Sequence, residues 1–208
     1  MSKKIKFYSL WFLLISIIVF ILQISLKGFT ELFVLNSNAL TGEYWRFVTA
    51  IFLHGSTVHL FYNLFALFFF GVALEKLIGS RKFLFVFFAS GIIANMISVN
   101  FYTSSLGASG AIMGIIGALT IIKPLMMVWA FGLILPMFIA AILWVIGDIL
   151  GVFMPSNVGN IAHLSGIGIG FLIGLILRNY IKKRTKKVKK VVVPDYYMAG
   201  WEKKYMKK

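Results

Sequence analysis

Cysteine is absent from the 208-residue chain. Its absence excludes disulfide frameworks, thiolate zinc sites, iron–sulfur clusters and cysteine nucleophiles. Acidic residues are scarce too, since six Asp and Glu stand against 21 Lys and Arg, for a formal net charge of +15. Only 13% of the residues are charged and 60% are hydrophobic. In a soluble domain about 25% of the residues are charged and roughly 45–50% are hydrophobic. A water-soluble globule is therefore excluded, and so is a disordered chain, which needs low hydrophobicity.

The hydrophobic residues are gathered into six runs of about the length of a membrane span. Charged turns, glycine and proline separate the runs. Lys123-Pro124, for example, ends the fourth run, because proline lacks an N–H donor and disfavours helix in the residue before it. The sequence therefore predicts an all-α membrane protein with a bundle of six transmembrane helices. The predicted spans are residues 8–26, 56–75, 83–101, 107–122, 125–147 and 161–178.

Residues 28–55 are too mixed in polarity to form a free span. They include two acidic residues, together with Trp45 and Arg46. We expect an ordered loop on the membrane surface, in which short helices are able to form.

The basic residues lie almost entirely at alternate connections between the runs, and only Lys27 and Arg46 fall elsewhere. The positive-inside rule then places both termini in the cytoplasm, which agrees with an even number of spans. We expect a multi-pass domain over residues 1–180, in a prokaryotic cell membrane, and a basic cytoplasmic tail over 181–208. The tail is either solvated or bound to anionic lipid. Nucleic acid is not an expected partner, because the spans explain the charge pattern.

Polar side chains within the spans are candidates for function, because each is costly in a bilayer. All three histidines lie in or beside the spans, at His54, His59 and His163. His59 and Asn63 share one face of the second helix, either as packed polar groups or as donors aimed at one ligand atom. A metal site is not expected, because His163 lies about 100 residues from the other two histidines and no carboxylate supports the set. No acidic residue sits deep in a span, which counts against a proton-driven pump.

Two of the predicted helices are rich in glycine and are natural packing partners. Gly166 and Gly170 follow His163 at helical spacing, and Gly110 follows Ser109, so the two helices are able to approach closely. A serine nucleophile needs an adjacent base, and its tetrahedral intermediate needs donors already in place. The chain offers such a set, although packing alone is the alternative for each member: Ser109, His163, His59 and Asn63.

At these residues the chain resembles the rhomboid family of intramembrane serine proteases, over roughly residues 40–178. Its motifs come in the order that the family has. They are Trp45-Arg46 in the first loop, the His-x4-His-x3-Asn pattern from His54 to Asn63, Gly71-Val72-Ala73-Leu74-Glu75, Gly107-Ala108-Ser109-Gly110, and Ala162-His163-x2-Gly166-x3-Gly170.

The resemblance implies a six-helix bundle and a Ser–His dyad, with no acidic third member and no metal or cofactor. Ser109 would be the nucleophile and His163 the general base, while His59, Asn63 and the Ser109 N–H would form the oxyanion hole. The other matched positions would be structural or line the site: His54, Trp45, Arg46, Gly107, Gly110, Gly166 and Gly170. The implied substrate is a single-pass membrane protein cut in or near its transmembrane segment. Two alternatives stay open, an inactive rhomboid-like protein that binds membrane clients and a small transporter.

Overall fold

The computed structural model of the protein describes residues 5–154, 158–188 and 195–206. The described chain is mainly helical. In order, the helices are α1 (Tyr8–Ser25), α2 (Phe29–Phe33), α3 (Arg46–Thr49), α4 (Thr57–Ala66), α5 (Val72–Ile78), α6 (Ser80–Ser98), α7 (Ser109–Ile122), α8 (Met137–Val152), α9 (Asn160–Val188) and α10 (Asp195–Tyr205). A π-helical segment, Leu67–Gly71, joins α4 and α5 into one continuous helix.

Four of the described helices are long and apolar enough to cross a membrane, namely Tyr8–Ser25, Thr57–Ile78, Ser80–Ser98 and Asn160–Asn179. Two further apolar helices, α7 and α8, are shorter. With 14 residues, α7 is about 21 Å long at ~1.5 Å per residue, against a hydrocarbon core of about 30 Å. The predicted helical membrane bundle is confirmed, whereas the number of spans stays a prediction.

The fifth predicted span, 125–147, is wrong in its first half. Here Met127–Ala130 (β1) and Leu133–Pro136 (β2) pair as an antiparallel hairpin, and helix begins only at Met137. The turn residues Phe131 and Gly132 both have positive φ, at 55° and 77°, as in the type I′ turns that match strand twist. A continuous apolar run does not by itself distinguish buried strand from helix, which explains the error.

Other predicted spans differ from the helices only at their ends. Gly79, with a φ of +83°, is enough to end α5, so α6 begins at Ser80 rather than at residue 83. At the other end of the chain, α9 continues past residue 178 to Val188, and the predicted tail starts inside it. Residues 155–157, and residues 189–194 and 207–208 of the predicted tail, lie outside the described residues.

Short helices do form within residues 28–55, as the sequence allowed. They are α2, α3 and two 3-10 turns, Ser37–Leu40 and Ala50–Phe52. Arg46 is buried and holds this segment together, since it pairs with Glu43 and its Nη1 donates to the carbonyl oxygens of Glu31 (2.8 Å) and Val34 (2.6 Å). The loop is therefore an ordered layer against the bundle.

The centre of the bundle is α7, whose residues from Gly110 to Leu119 are all buried. It packs against α9 without intervening side chains. A Cβ placed on Gly170 would come within 2.1 Å of the Gly114 carbonyl oxygen, and one on Gly117 within 2.4 Å of the Ile167 oxygen. The glycines of these two helices thus let their backbones touch, which fixes the N-terminal ends of α7 and α9 beside each other.

A buried carboxylate holds the start of α1. Both oxygens of Glu75, in α5, accept hydrogen bonds from backbone N–H groups, those of Tyr8 and Ser9, each at 2.9 Å. The first N–H groups of a helix lack partners within it, so Glu75 satisfies two of them. Its role is structural, and it lies at the opposite end of the continuous helix Thr57–Ile78 from His59.

Candidate active site

Ser109 is the first residue of α7, and its half-buried side chain lies at that helix's N-terminal end. The chain approaches the helix through Gly107, whose φ of +120° is a conformation that residues with a Cβ rarely adopt. The first N–H groups of α7 carry the partial positive charge of a helix N-terminus. The hydroxyl of Ser109 therefore stands beside backbone donors.

A cavity of about 1040 Å³ lies at this end of α7. All four residues to which the sequence assigned chemistry line it, namely Ser109, His163, His59 and Asn63. They come from three separate helices, α4, α7 and α9. Folding thus brings the predicted nucleophile, base and donors to one cavity, which is large enough for a short peptide segment.

His163 lies in the first turn of α9. The residue before it, Ala162, packs close to Gly110 of α7, because a Cβ built on Gly110 would be 3.5 Å from the Ala162 carbonyl oxygen. Its Nδ1 is 2.9 Å from Oδ1 of Asp148 in α8. Both side chains are largely buried, at 17% and 9% exposed. The sequence analysis did not predict that a carboxylate contacts this histidine.

The sequence analysis gave Asp148 no role, because residue 148 comes just after the predicted span 125–147. His163, however, lies in the first turn of the next long helix. Successive antiparallel helices bring the end of one beside the start of the next. That adjacency, together with the scarcity of acidic residues in the chain, was the available signal.

His59 and Asn63 lie one turn apart at the start of α4. Ser56 caps this helix, since its Oγ accepts the His59 N–H at 3.1 Å. The Asn63 amide donates one hydrogen to the His59 carbonyl oxygen at 2.9 Å, which leaves its second N–H for another acceptor. The His59 ring covers Gly107, where a Cβ would be 2.8 Å from Nε2. Glycine at 107 therefore makes room for the histidine beside Ser109.

His54 is buried and does not line the cavity. Its Nδ1 lies 3.1 Å from the Phe52 carbonyl oxygen, and its backbone N–H donates to the Gln23 side chain at 2.9 Å. Its ring meets that of His59 edge-on at 5.2 Å. Burial, and next the charge of His59, lower the pKa of His54 to about 4, so it is neutral at physiological pH. These contacts support a structural role for His54, beside His59 of the site.

The remaining predicted site residues are set apart from the cavity or form its frame. Trp45 is exposed, and its indole N–H donates to the Leu32 carbonyl oxygen at 3.4 Å. Gly110 lines the cavity, whereas Gly166 and Gly170 lie in the contact between α7 and α9.

The β1–β2 hairpin also reaches the cavity, which the sequence did not predict. Phe131, at its turn, lines the wall and packs on Trp144 of α8 with ring centroids 5.3 Å apart. On the other side, Trp129 packs on Phe65 of α4 at 6.0 Å. The hairpin therefore bridges α4 and α8 beside the site.

A family model described as "Rhomboid domain" matches residues 41–180, which contain every one of these cavity residues. The chain belongs to the rhomboid family. It is 36% identical to the rhomboid protease GluP of Bacillus subtilis over 148 residues, which are 68% of this chain and 28% of GluP.

Two other rhomboid proteins extend the comparison. YdcA of Bacillus subtilis is 35% identical over 147 residues, 68% of this chain and 71% of YdcA. RHOMBOID-like protein 6, mitochondrial, of Arabidopsis thaliana is 32% identical over 137 residues, 65% of this chain and 44% of that protein. The match thus covers most of YdcA but less than half of the other two. The family and the apolar helices make this rhomboid an integral membrane protein.

Proposed function

We propose that this rhomboid is an intramembrane serine endopeptidase that cuts single-pass membrane proteins in or near their transmembrane segment. The observation that carries the proposal is the single cavity lined by Ser109, His163, His59 and Asn63. Acyl transfer through a serine requires a hydroxyl nucleophile, an adjacent base and hydrogen-bond donors for the oxyanion. This cavity holds a hydroxyl, an imidazole with a buried partner, and two side chains that are able to donate. GluP, which is a protease by name, is a relative with the same family domain.

In the first half of the proposed reaction, Ser109 Oγ attacks the carbonyl carbon of the scissile peptide bond while His163 takes the hydroxyl proton. The tetrahedral intermediate then collapses. The C–N bond breaks, His163 gives its proton to the leaving amine, and the acyl group stays on Ser109. In the second half, water attacks the ester with His163 again as base, which releases the acid product and restores the serine.

The negative charge on the oxygen of the tetrahedral intermediate needs donors that are already oriented. The free N–H of the Asn63 amide, the His59 ring and the backbone N–H of Ser109 surround the same cavity and would supply them. The dipole at the start of α7 favours negative charge there. Because the cavity is partly enclosed, such donors are worth more than they would be in water.

The orientation of the site determines where a substrate would be cut. We propose that both termini are cytoplasmic, in a prokaryotic cell membrane, as the positive charges indicate. Helix α7 is then held at its inner end by Lys123, and its ~21 Å length leaves Ser109 some 9 Å below the outer surface of a ~30 Å core. A cavity at that depth would admit water from outside, and a substrate helix would have to unwind locally to expose a peptide bond.

The tail 181–208 is proposed to lie on anionic lipid rather than in solution. Tyr197, Trp201 and Tyr205 are exposed and follow one another at intervals of four along α10, with Lys203 and Lys204 beside them. Aromatic rings and lysines on one short helix suit the interface of an anionic membrane. In proteoliposomes, slower proteolysis of the tail with anionic than with zwitterionic lipid supports this proposal, and equal rates contradict it.

The proposal is tested by incubating the purified protein, in detergent and in proteoliposomes, with a single-span substrate, beside Ser109→Ala. Cleavage by the wild type alone is the expected result. No cleavage by either, together with saturable binding of the substrate to both, would instead indicate the alternative, an inactive client-binding rhomboid. Cleavage by both would contradict the assignment of Ser109. The transporter alternative has no support once the family is known.

A further inference from the structure

We propose that Gln23 is a positioning residue for the oxyanion donors, because its side chain fixes the backbone of His54 just before α4. The inference rests on the proposed protease function. Gln23 lies in the last turn of α1, and its side chain is half-buried. A polar amide in an apolar span costs free energy and is a candidate for function. Gln23 belongs to none of the sequence motifs that mark the site, so its contacts must show what it does.

The Gln23 amide makes three hydrogen bonds, and two of them go to a single residue. Its Oε1 accepts the His54 backbone N–H at 2.9 Å, and its Nε2 donates to the His54 carbonyl oxygen at 3.3 Å. Nε2 also donates to Thr30 Oγ1, in α2, at 3.1 Å. Gln23 thus pairs with both main-chain groups of His54, as opposite residues of an antiparallel ladder do. A contact at two points fixes the orientation of the backbone as well as its position.

The backbone of His54 depends on this partner. His54 is 2% exposed and lies in a connection between helices, outside regular secondary structure. Buried N–H and C=O groups require hydrogen bonds, and among the described residues Gln23 is the partner of both main-chain groups of His54. Loss of the amide would leave two buried groups unpaired, which is costly. The backbone would then have to move to find other partners.

A movement of the His54 backbone would reach the proposed oxyanion donors by two routes. Along the chain, Ser56 follows two residues after His54 and caps α4, since its Oγ accepts the His59 N–H at 3.1 Å. Across space, the His54 ring meets the His59 ring edge-on, with centroids 5.2 Å apart. One turn further along α4, the Asn63 amide donates to the His59 carbonyl oxygen. The Gln23–His54 pair therefore sets the position of the helix end that carries both donors.

The kinetic test uses Gln23→Met, because methionine is unbranched, favours helix about as well as glutamine and lacks the amide. We expect kcat to fall by about 10–100-fold, since a small displacement of a catalytic group has such an effect, with KM little changed. Thr30→Val is the matched control, because it removes the contact of Gln23 with α2 and leaves both bonds to His54. Its kcat should stay close to that of the wild type. Equal losses of kcat in the two variants, or wild-type kcat in Gln23→Met, would contradict the proposal.

A double-mutant cycle separates positioning from a general loss of stability. The fold-loss of kcat caused by Gln23→Met is measured in the wild type and again in His59→Ala. We expect the loss to be smaller in His59→Ala by at least about threefold, because residues that act through one another are not additive. A general destabilisation would give the same fold-loss in both backgrounds, and that result would contradict the proposal.

A further measurement on the wild type does not depend on how the variants fold. The chain has three histidines, so ¹⁵N-histidine labelling gives three backbone amide signals, and His54→Gln identifies the one of interest. We expect the His54 amide to exchange its hydrogen slowly with solvent in the wild type and in Thr30→Val, and faster in Gln23→Met. Rapid exchange in the wild type would overturn the proposal.

Ser109→Ala, assayed in parallel, distinguishes the failure of this proposal from failure of the protease function. Wild-type kcat in Gln23→Met beside an inactive Ser109→Ala would remove the role of Gln23 and leave the protease function standing. An active Ser109→Ala would overturn both.

Discussion

Gly166 of α9 lies directly against the backbone of Gly110 of α7, where an added Cβ at Gly166 would come within 2.0 Å of the Gly110 carbonyl oxygen. Gly110 follows Ser109, and Gly166 is one helical turn after His163. The contact between the two glycines therefore sets the separation of the proposed nucleophile and base. Neither partner in this contact is a side chain that is able to rotate away.

Gly166→Ala is expected to separate the two helices. The extra methyl group would destabilise the protein by roughly 1–3 kcal/mol and lower turnover by about 100-fold, since a displacement of ~1 Å at a catalytic group has that effect. The measurements are thermal unfolding and kcat on a single-span substrate. Gly168→Ala is the matched control, because a Cβ at that position of the same helix meets nothing within 4 Å. Equal effects in the two variants would contradict the role given to the contact.

The oxyanion donors make a second prediction. Asn63→Ala is expected to lower kcat by about 10²–10³-fold, the usual effect of removing one such donor, with KM little changed. His59→Ala should behave similarly. Asn100→Ala serves as control, because Asn100 is exposed, just after α6, and its amide donates to the Met96 and Ile97 carbonyl oxygens at the end of that helix. Wild-type turnover in both Asn63→Ala and His59→Ala would mean that the donors lie elsewhere.

The pKa of His54 predicts how stability depends on pH. It is about 4 in the folded chain, against an ordinary 6.5. Between these values the unfolded chain binds a proton that the folded chain does not. Stability is therefore lost as the pH falls from about 6.5 towards about 4, by up to about 3 kcal/mol. His54→Gln removes this contribution. Unfolding temperatures at about pH 7 and about pH 5 should differ less in His54→Gln than in the wild type, and an unchanged difference would contradict the prediction.

The sequence predicted the parts of the structure that depend on hydrophobicity and on short motifs. Apolar run length places a helix well when charge or glycine bounds it, as Gly79 does between α5 and α6. The glycines that follow Ser109 and His163 indicated which helices touch, because close packing in a membrane requires small residues at helical spacing.

The rest depends on tertiary contacts that no local pattern specifies. Residues 127–136 are apolar enough for a helix, and they form a hairpin because Phe131 and Gly132 adopt positive φ and the strands pack between α4 and α8. The contact between Asp148 and His163 joins α8 and α9, two helices that are consecutive in the chain. The two residues belong to no common motif, so hydrophobic run lengths and residue spacings did not predict their contact.

The depth of Ser109 predicts where substrates are cut. Cleavage is expected in the outer third of the substrate span or just outside it, favoured by small residues at the cut and by nearby Gly or Pro, which ease local unwinding. Mass spectrometry of both product termini, from a substrate reconstituted in one orientation, gives the position. A cluster of cuts at the cytoplasmic end would contradict either the depth of Ser109 or the orientation of the chain.

The central claim is that Ser109 is a nucleophile activated by His163, and a serine-directed acylating probe tests it most directly. Wild type, Ser109→Ala and His163→Ala are treated with the probe in detergent, and intact-mass and peptide spectra are recorded. The account predicts one adduct per chain, on Ser109, in the wild type and none in either variant, because residues that act as a unit lose activity together. A labelled Ser109 in His163→Ala at the wild-type rate, or a wild type labelled elsewhere, would contradict it.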